Sequence, residues 1–211
     1  ETMYDAVRHL SIDAPRRIYV PHLRLVVLSE EVAKEGIGKA LDVLSRQHEL
    51  RSDFFIAVAK GTTAYDVLNV QTALEKIPSI KIANALENSE RAWSPTKTVR
   101  LDELISSIVS KGKEPVLTGV YVYGDPETGS EFTNIQNVSP ATGLRIDSIG
   151  VFKKDRLLGW LTEDESRGFN FITDNIKTTP VTFACEDSKV TIDNSRSKTK
   201  VKGKVVKGKP K

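Results

Sequence analysis

LRIDSIGVFKKDRLLGWLTEDESRGFNFI, residues 144–172, is the stretch whose reading decides the fold. Ile149, Val151 and Phe152 run into the charged tetrapeptide Lys153 to Arg156, and Leu157, Leu158, Trp160 and Leu161 lead away from it. Two apolar runs around a short polar turn predict a β-hairpin. Thr162 follows, with Glu165 three positions on. That spacing makes a capping box, so a helix is predicted from here to near Asn175, and Leu161 supplies an apolar staple ahead of the cap. Phe169, Phe171 and Ile172 cannot be buried by so short a helix alone and need the hairpin sheet beneath them. Trp160 and Phe152 are assigned to a core cluster with these aromatics, although a tryptophan on an amphipathic strand also suits an interface.

Upstream, Met3, Ala6, Val7 and Leu10 stand at helical spacing, and a long apolar strand is predicted from Ile18 to Leu28. Such a continuous run suits a strand covered on both faces. Ser29 caps a helix carrying Val32, Ala33, Ile37, Leu41 and Leu44, with a break at Gly36 and Gly38. Phe54 to Ala59 is a second buried strand, and strand–helix–strand–helix order over 18–70 predicts a parallel pair. Helices follow from Pro78 to about Asn88 and over Leu101–Val109, then a strand over Val116–Tyr123. Residues 124–143, with two prolines and three glycines, read as a linker or exposed loop. A domain boundary is therefore placed near Ala141. The expected fold class is α+β: a mixed sheet with helices over 1–140, a small hairpin-plus-helix domain over 141–183, and a linker or the opening strands of a truncated third domain over 184–211.

The run GVFKKDRLLGWLTEDESRGFNFI resembles the Ger(x)C proteins, the C subunits of the germinant receptors of spore-forming bacteria, in which AVFK, D, L, G, L, E and RG recur in that order. Gly150 to Lys153, Asp155, Leu158 to Leu161, Glu165, Arg167 and Gly168 carry the match. PRRIYVPHLRLVVLSEEVAKEGI (15–37) and RSDFFIAVAKG (51–61) are also similar to that family, so the resemblance spans nearly the whole chain. It implies a non-catalytic receptor subunit that scaffolds or couples germinant sensing at the outer face of the spore inner membrane. It further implies integral-membrane A and B subunits as partners, a lipid anchor attached ahead of Glu1 and absent from this chain, and a larger C-terminal domain opening in the last residues.

Composition agrees with a folded protein. The chain has 211 residues, 39% of them hydrophobic, and a formal net charge of +3. Seven of its 31 basic residues and none of its 28 acidic ones lie in 198–211, which leaves the rest slightly acidic. Nucleic-acid binding calls for a basic patch on a folded face, and the body offers none. Cys185 is the sole cysteine, so no intrachain disulfide forms. No segment approaches the roughly 20 apolar residues of a membrane-spanning helix.

The residues of catalysis do not assemble. His9, His22 and His48 lie in three elements without metal-ligand spacing. Asp164 and Glu165 are neighbours, not a pair facing across a cleft. Ser29 and Ser45 lack a nucleophile elbow. The turn Lys60-Gly61-Thr62-Thr63 offers a cation, backbone donors and hydroxyls, and carries the alternative reading, a soluble small-ligand-binding protein or hydrolase with a loop-built site. No cofactor and no metal are predicted. Arg16, Arg17, Arg24, Glu165 and Arg167 are the candidate partner contacts, because arginine's rigid multi-donor fork suits protein interfaces. Arg167 has a second reading, as a structural ion pair. Trp160, Phe152 and Gly168 are assigned structural roles.

Overall fold

The computed structural model describes residues 9, 12, 22–46, 51–73, 75, 77–136, 139–185, 188–194 and 197–200, with the backbone of 205–206 and 209–210. The helix expected over residues 1–10, His9 apart, and the strand residues 18–21 lie outside that set.

Strand β1 (Leu25–Leu28) runs parallel to β2 (Phe55–Ala59), in register from Leu25 opposite Phe55 to Leu28 opposite Val58. All five residues of β2 are buried, as a run of Phe, Ile, Ala, Val and Ala requires of a central strand. Between the two strands lie α1 (Glu30–Glu35) and α2 (Gly38–Arg46). The Ser29 side chain accepts the Val32 N–H, while Glu30 and Glu31 sit in the first turn, where the helix dipole favours acids. The break falls where the glycines predict it. Gly36 has φ 133°, and a Cβ there would stand 2.8 Å from Asp155 Oδ2. The Ile37 N–H donates to the Asp155 carbonyl at 2.9 Å, so the interruption is the seat of the distant hairpin turn.

Helices α3 (Ala64–Asn69) and α4 (Pro78–Ala92) follow β2, and α5 (Leu101–Val109) precedes β3 (Val116–Tyr123). β3 is parallel to β2, with Ala57 opposite Thr118. A short helix α6 (Pro126–Ser130) and a 3-10 turn (Phe132–Ile135) lead to β4 (Gly143–Lys153) and β5 (Arg156–Trp160). The five strands form one mixed sheet in the order β1-β2-β3-β4-β5. Leu28, Ile56, Val58, Leu117, Phe152 and Leu157 pack with α1, α2 and α5 in one core. Phe55, Ala57, Val67, Ile82, Leu86 and Val120 form a second core with α3 and α4. This is an α+β fold.

Helix α7 (Glu163–Ile172) has the predicted capping box and packs on β4, where its buried Ser166 Oγ accepts the Ile149 N–H at 3.1 Å. β6 (Thr179–Cys185) and β7 (Ser188–Asn194) make a separate antiparallel pair. Phe183 opposes Val190 and Val181 opposes Ile192, so these apolar residues share one face of that hairpin. β8 (Val205–Val206) and β9 (Lys209–Pro210) form a last two-residue pair.

The sheet departs from the expected organisation at one place. The hairpin assigned to a small body of its own over 141–183 forms the fourth and fifth strands of the first sheet, with β4 antiparallel to β3 from Tyr123 opposite Gly143 to Val116 opposite Val151. Without β4, the largely buried β3 would present a row of unpaired backbone groups. The described residues of 124–143, read as a linker or exposed loop, are mostly exposed, yet they carry α6 and the 3-10 turn and are tied down at one point: Asn134 is buried and exchanges hydrogen bonds with the Thr142 backbone at 2.9 and 3.2 Å.

Candidate partner surface

Arg16 and Arg17 lie outside the described residues. Arg24 is exposed at the entrance to β1, and its carbonyl accepts the Phe55 N–H at 3.0 Å. The backbone is therefore tied to the sheet while the residue stays exposed. Glu165 is exposed but occupied. Its carboxylate accepts the Thr162 N–H at 2.8 Å and the Thr162 hydroxyl at 3.0 Å, and these bonds hold it below the ordinary carboxylate range.

Arg167 is inward. Its side chain is 18% exposed, and Nη2 donates to Thr179 Oγ1 at 3.0 Å and to the Pro180 carbonyl. The guanidinium stacks 4.7 Å from the Trp93 ring centroid. Trp93 in turn donates through Nε1 to Glu163, and its carbonyl accepts from the Thr179 hydroxyl at 3.0 Å. One planar cation thus joins the end of α4, the start of α7 and the root of β6. These contacts hold Arg167 by hydrogen bonds and stacking; its ion pair, to the exposed Asp164, is long at 4.0 Å. Nothing in the sequence marked Trp93 as its partner, because the two are 74 positions apart.

Trp160 lies on the sheet as a lid over two glycines. A Cβ on Gly119 would stand 2.5 Å from Trp160 Cζ3, and one on Gly150 would stand 2.9 Å from the same atom. The indole Nε1 donates to Glu30 Oε1 at 3.3 Å, and the Lys60 ammonium lies 5.5 Å from the ring centroid. Phe152 is 1% exposed in the core that Trp160 packs against. Phe169 is elsewhere: it lines a crevice of about 320 Å³ with Val116, Val151 and Leu104. Gly168 has open space where a Cβ would stand, so no close approach demands glycine there.

The turn Lys60 to Thr63 has several of its donors bonded to neighbouring side chains. The Gly61 N–H donates to Glu30 Oε2 at 2.8 Å, and the Lys60 ammonium donates to Ser148 Oγ at 3.1 Å. The Thr62 and Thr63 hydroxyls both donate to Asp66 Oδ2, at 3.1 and 2.7 Å. Burial pushes the Glu30 carboxyl up, but hydrogen bonds from Lys34, Gly61 and Trp160 outweigh it and leave the group below its usual range. Two carboxylates therefore already occupy donors that a phosphate would need. Among the described residues no three His, Cys, Asp or Glu gather as metal ligands, and no helix is long and apolar enough to cross a membrane.

The family described as "Spore germination protein N-terminal domain" matches residues 1–121, and "Spore germination B3/ GerAC like, C-terminal" matches residues 147–211. The chain belongs to the GerAC family of spore germination proteins. This GerAC-family chain is 30% identical over 210 residues to spore germination protein KC of Bacillus subtilis (strain 168), covering 98% of itself and 52% of that relative. It is 24% identical to spore germination protein B3 of the same organism over 217 residues, again 52% of the relative. It thus spans about half the length of these curated relatives. The crystal structure of the GerBC protein has a similar fold, with a TM-score of 0.56 at 21% identity over 95% of this chain and 53% of that one. In the GerAC-family chain the two family matches meet across one sheet. β1 to β3 fall almost wholly in the first, most of β4 and all of β5 fall in the second, and 124–143 lies between.

Proposed function

We propose that this chain is part of a C subunit of a spore germinant receptor, which scaffolds or couples germinant sensing through protein contacts and turns over no substrate. Membership of the GerAC family carries this reading. The full-length protein is placed on the outer face of the spore inner membrane by an N-terminal lipid, beside integral-membrane A and B subunits. The local chemistry is in keeping with it: the hydroxyls and backbone donors around Lys60 that a loop-built ligand site would use are bonded to Glu30 and Asp66. Arg17 and Arg24 are the partner contacts proposed, Arg24 being exposed at the entrance to β1. Charge reversal at either, Arg17→Glu or Arg24→Glu, in the full-length lipoprotein should slow germinant-triggered germination while circular dichroism and an immunoblot of spore membranes stay unchanged. Normal germination from both variants would remove these arginines from the contact. Germination that survives deletion of the whole subunit would overturn the receptor role.

A further inference from the structure

Residues of α5 and α7, together with the paired ends of β3 and β4 where Val116 opposes Val151, line a crevice of about 320 Å³. Folded proteins hold small molecules in recesses of roughly 300–1,000 Å³ that are mostly apolar and carry a few placed polar groups, and this one stands at the small end of that range. Val99, Leu104 and Val116 line it and are buried, while Val151 and Phe169 line it and are half-buried. Ser107 is buried there too, and its hydroxyl donates to the Glu103 carbonyl at 2.8 Å, so its proton is spent within α5. Four charged side chains complete the lining, and they are not equally committed. Lys97 pairs with Glu103 at 3.0 Å, and Glu114 Oε2 accepts the Lys154 N–H at 2.7 Å. Lys113 is exposed and forms no ion pair among the described residues. Lys97 has a side chain only 16% exposed, and Glu103 is its one ion-pair partner among the described residues, although an ammonium carries three donors. The uncommitted charge of the crevice is therefore positive.

We propose that this crevice binds a small monocarboxylic acid with a compact apolar body, such as a phenyl ring or a branched aliphatic chain. The body packs on Val99, Leu104, Val116, Val151 and Phe169, and the carboxylate meets Lys113 and the spare donors of Lys97. An α-amino acid fits less well, because its ammonium needs an acceptor and both lining carboxylates are already engaged. A phosphate is also disfavoured: its dense charge calls for several cationic or backbone donors, and it makes no use of an apolar lining. The site goes beyond the receptor reading and does not rest on it.

The test titrates the full 211-residue chain, labelled with nitrogen-15, with 3-phenylpropionate up to about 10 mM and follows the amide resonances. Shifts are expected at Leu104, Ser107, Val116, Val151 and Phe169, and not at β6 or β7. The neutral 3-phenylpropionamide and the cationic 3-phenylpropylamine should bind more weakly than the acid, as should phenylalanine. Lys113→Gln should weaken the acid about two- to fivefold, the range that an exposed ion pair spans, and leave the amide unchanged. Lys111→Gln, which removes an exposed lysine outside the crevice, should bind as the parent does. Ser107→Leu fills the crevice from α5 and Val151→Leu fills it from β4. Each should abolish binding, and a folding fault in one leaves the other to decide. Absence of shifts at the crevice amides, an amide or amine that binds as well as the acid, or equal losses in Lys113→Gln and Lys111→Gln would overturn the proposal. So would binding of a peptide that ends in phenylalanine under conditions where the free acid does not bind, which would make the crevice a protein contact. No receptor is present in this assay, so its failure bears on the crevice alone, and germination of the subunit deletion remains the separate test of the receptor role.

Discussion

At the scale of single residues, two glycines in different elements separate the effect of space from that of conformation. Gly119 is pressed by Trp160 and by Ser148 Oγ, which would stand 2.5 and 3.0 Å from an added Cβ. Gly119→Ala must push the indole off the sheet, so a loss of about 1–3 kcal/mol is expected, as for an overpacked core. Gly168 sits inside α7 with open space around its missing side chain. There Ala should raise stability by roughly 0.5–1 kcal/mol, the helix-propensity difference. Urea unfolding of both variants checks the pair, and a stable Gly119→Ala would show that Trp160 is loosely seated. Glu90 adds a pH dependence. It is 4% exposed, and burial pushes its carboxyl up, but hydrogen bonds from Lys177 at 2.8 Å and from the Thr98 hydroxyl and N–H outweigh burial and leave it below the ordinary value. A carboxyl lowered in the folded state contributes stability that is complete above its unfolded pKa and is lost as pH falls through the folded one. Stability should therefore decline as the solution is acidified below about pH 4.5, the decline being shallower in Glu90→Gln.

At the scale of elements, the signals that were legible in the sequence are the ones that act over a few residues. The capping box at Thr162 and Glu165, the helix break at Gly36 and the charged turn at Lys153 to Arg156 all stand where the residues put them. The partner of the hairpin was not legible, because strand pairing is chosen by residues far apart in the chain. The loop 124–143 has the composition of a linker, and only the fold shows Asn134 bonded to Thr142 and the Gly129 carbonyl accepting the Gln71 N–H. The site was legible to a lesser degree. Arg167 was singled out, but its use depends on Trp93 and Thr179, which no local pattern connects to it. Arg167→Ala should cost about 2 kcal/mol, the value of a charge-assisted hydrogen bond with part of a cation–π contact. Arg167→Lys should recover little, since an ammonium cannot reach Thr179 and Pro180 while stacking on Trp93. Hydrogen exchange at the β6–β7 amides provides the readout: faster exchange there than in β2 places the loss at the hairpin root, and uniform change would assign Arg167 to global stability instead.

At the scale of the whole molecule, the question is how many bodies fold on their own. Composition proposes two units meeting near residue 141, and the two family matches also leave 122–146 between them. The sheet runs through that point. β3 and β4 are paired from Tyr123 and Gly143 to Val116 and Val151, and Phe152 and Leu157 of the hairpin lie in the same core as Leu28, Ile56 and Leu44. A fragment ending at 140 would leave β3 as a bare edge and empty that core of two large side chains. A fragment of 141–183 would keep a two-stranded hairpin and one helix, too little sheet to be stable alone. Fragments 1–140 and 141–211 are therefore each expected to lack a cooperative thermal transition. Mixed in equal amounts, they should associate and recover one, followed by circular dichroism and gel filtration. Independent cooperative unfolding of 141–211 would make the hairpin and α7 a domain in their own right, with the β3–β4 pairing an interface between domains. Recovery only on mixing would mean that the evolutionary unit ending at 121 and the physical unit differ, and that partner binding on either half is felt through a single shared sheet.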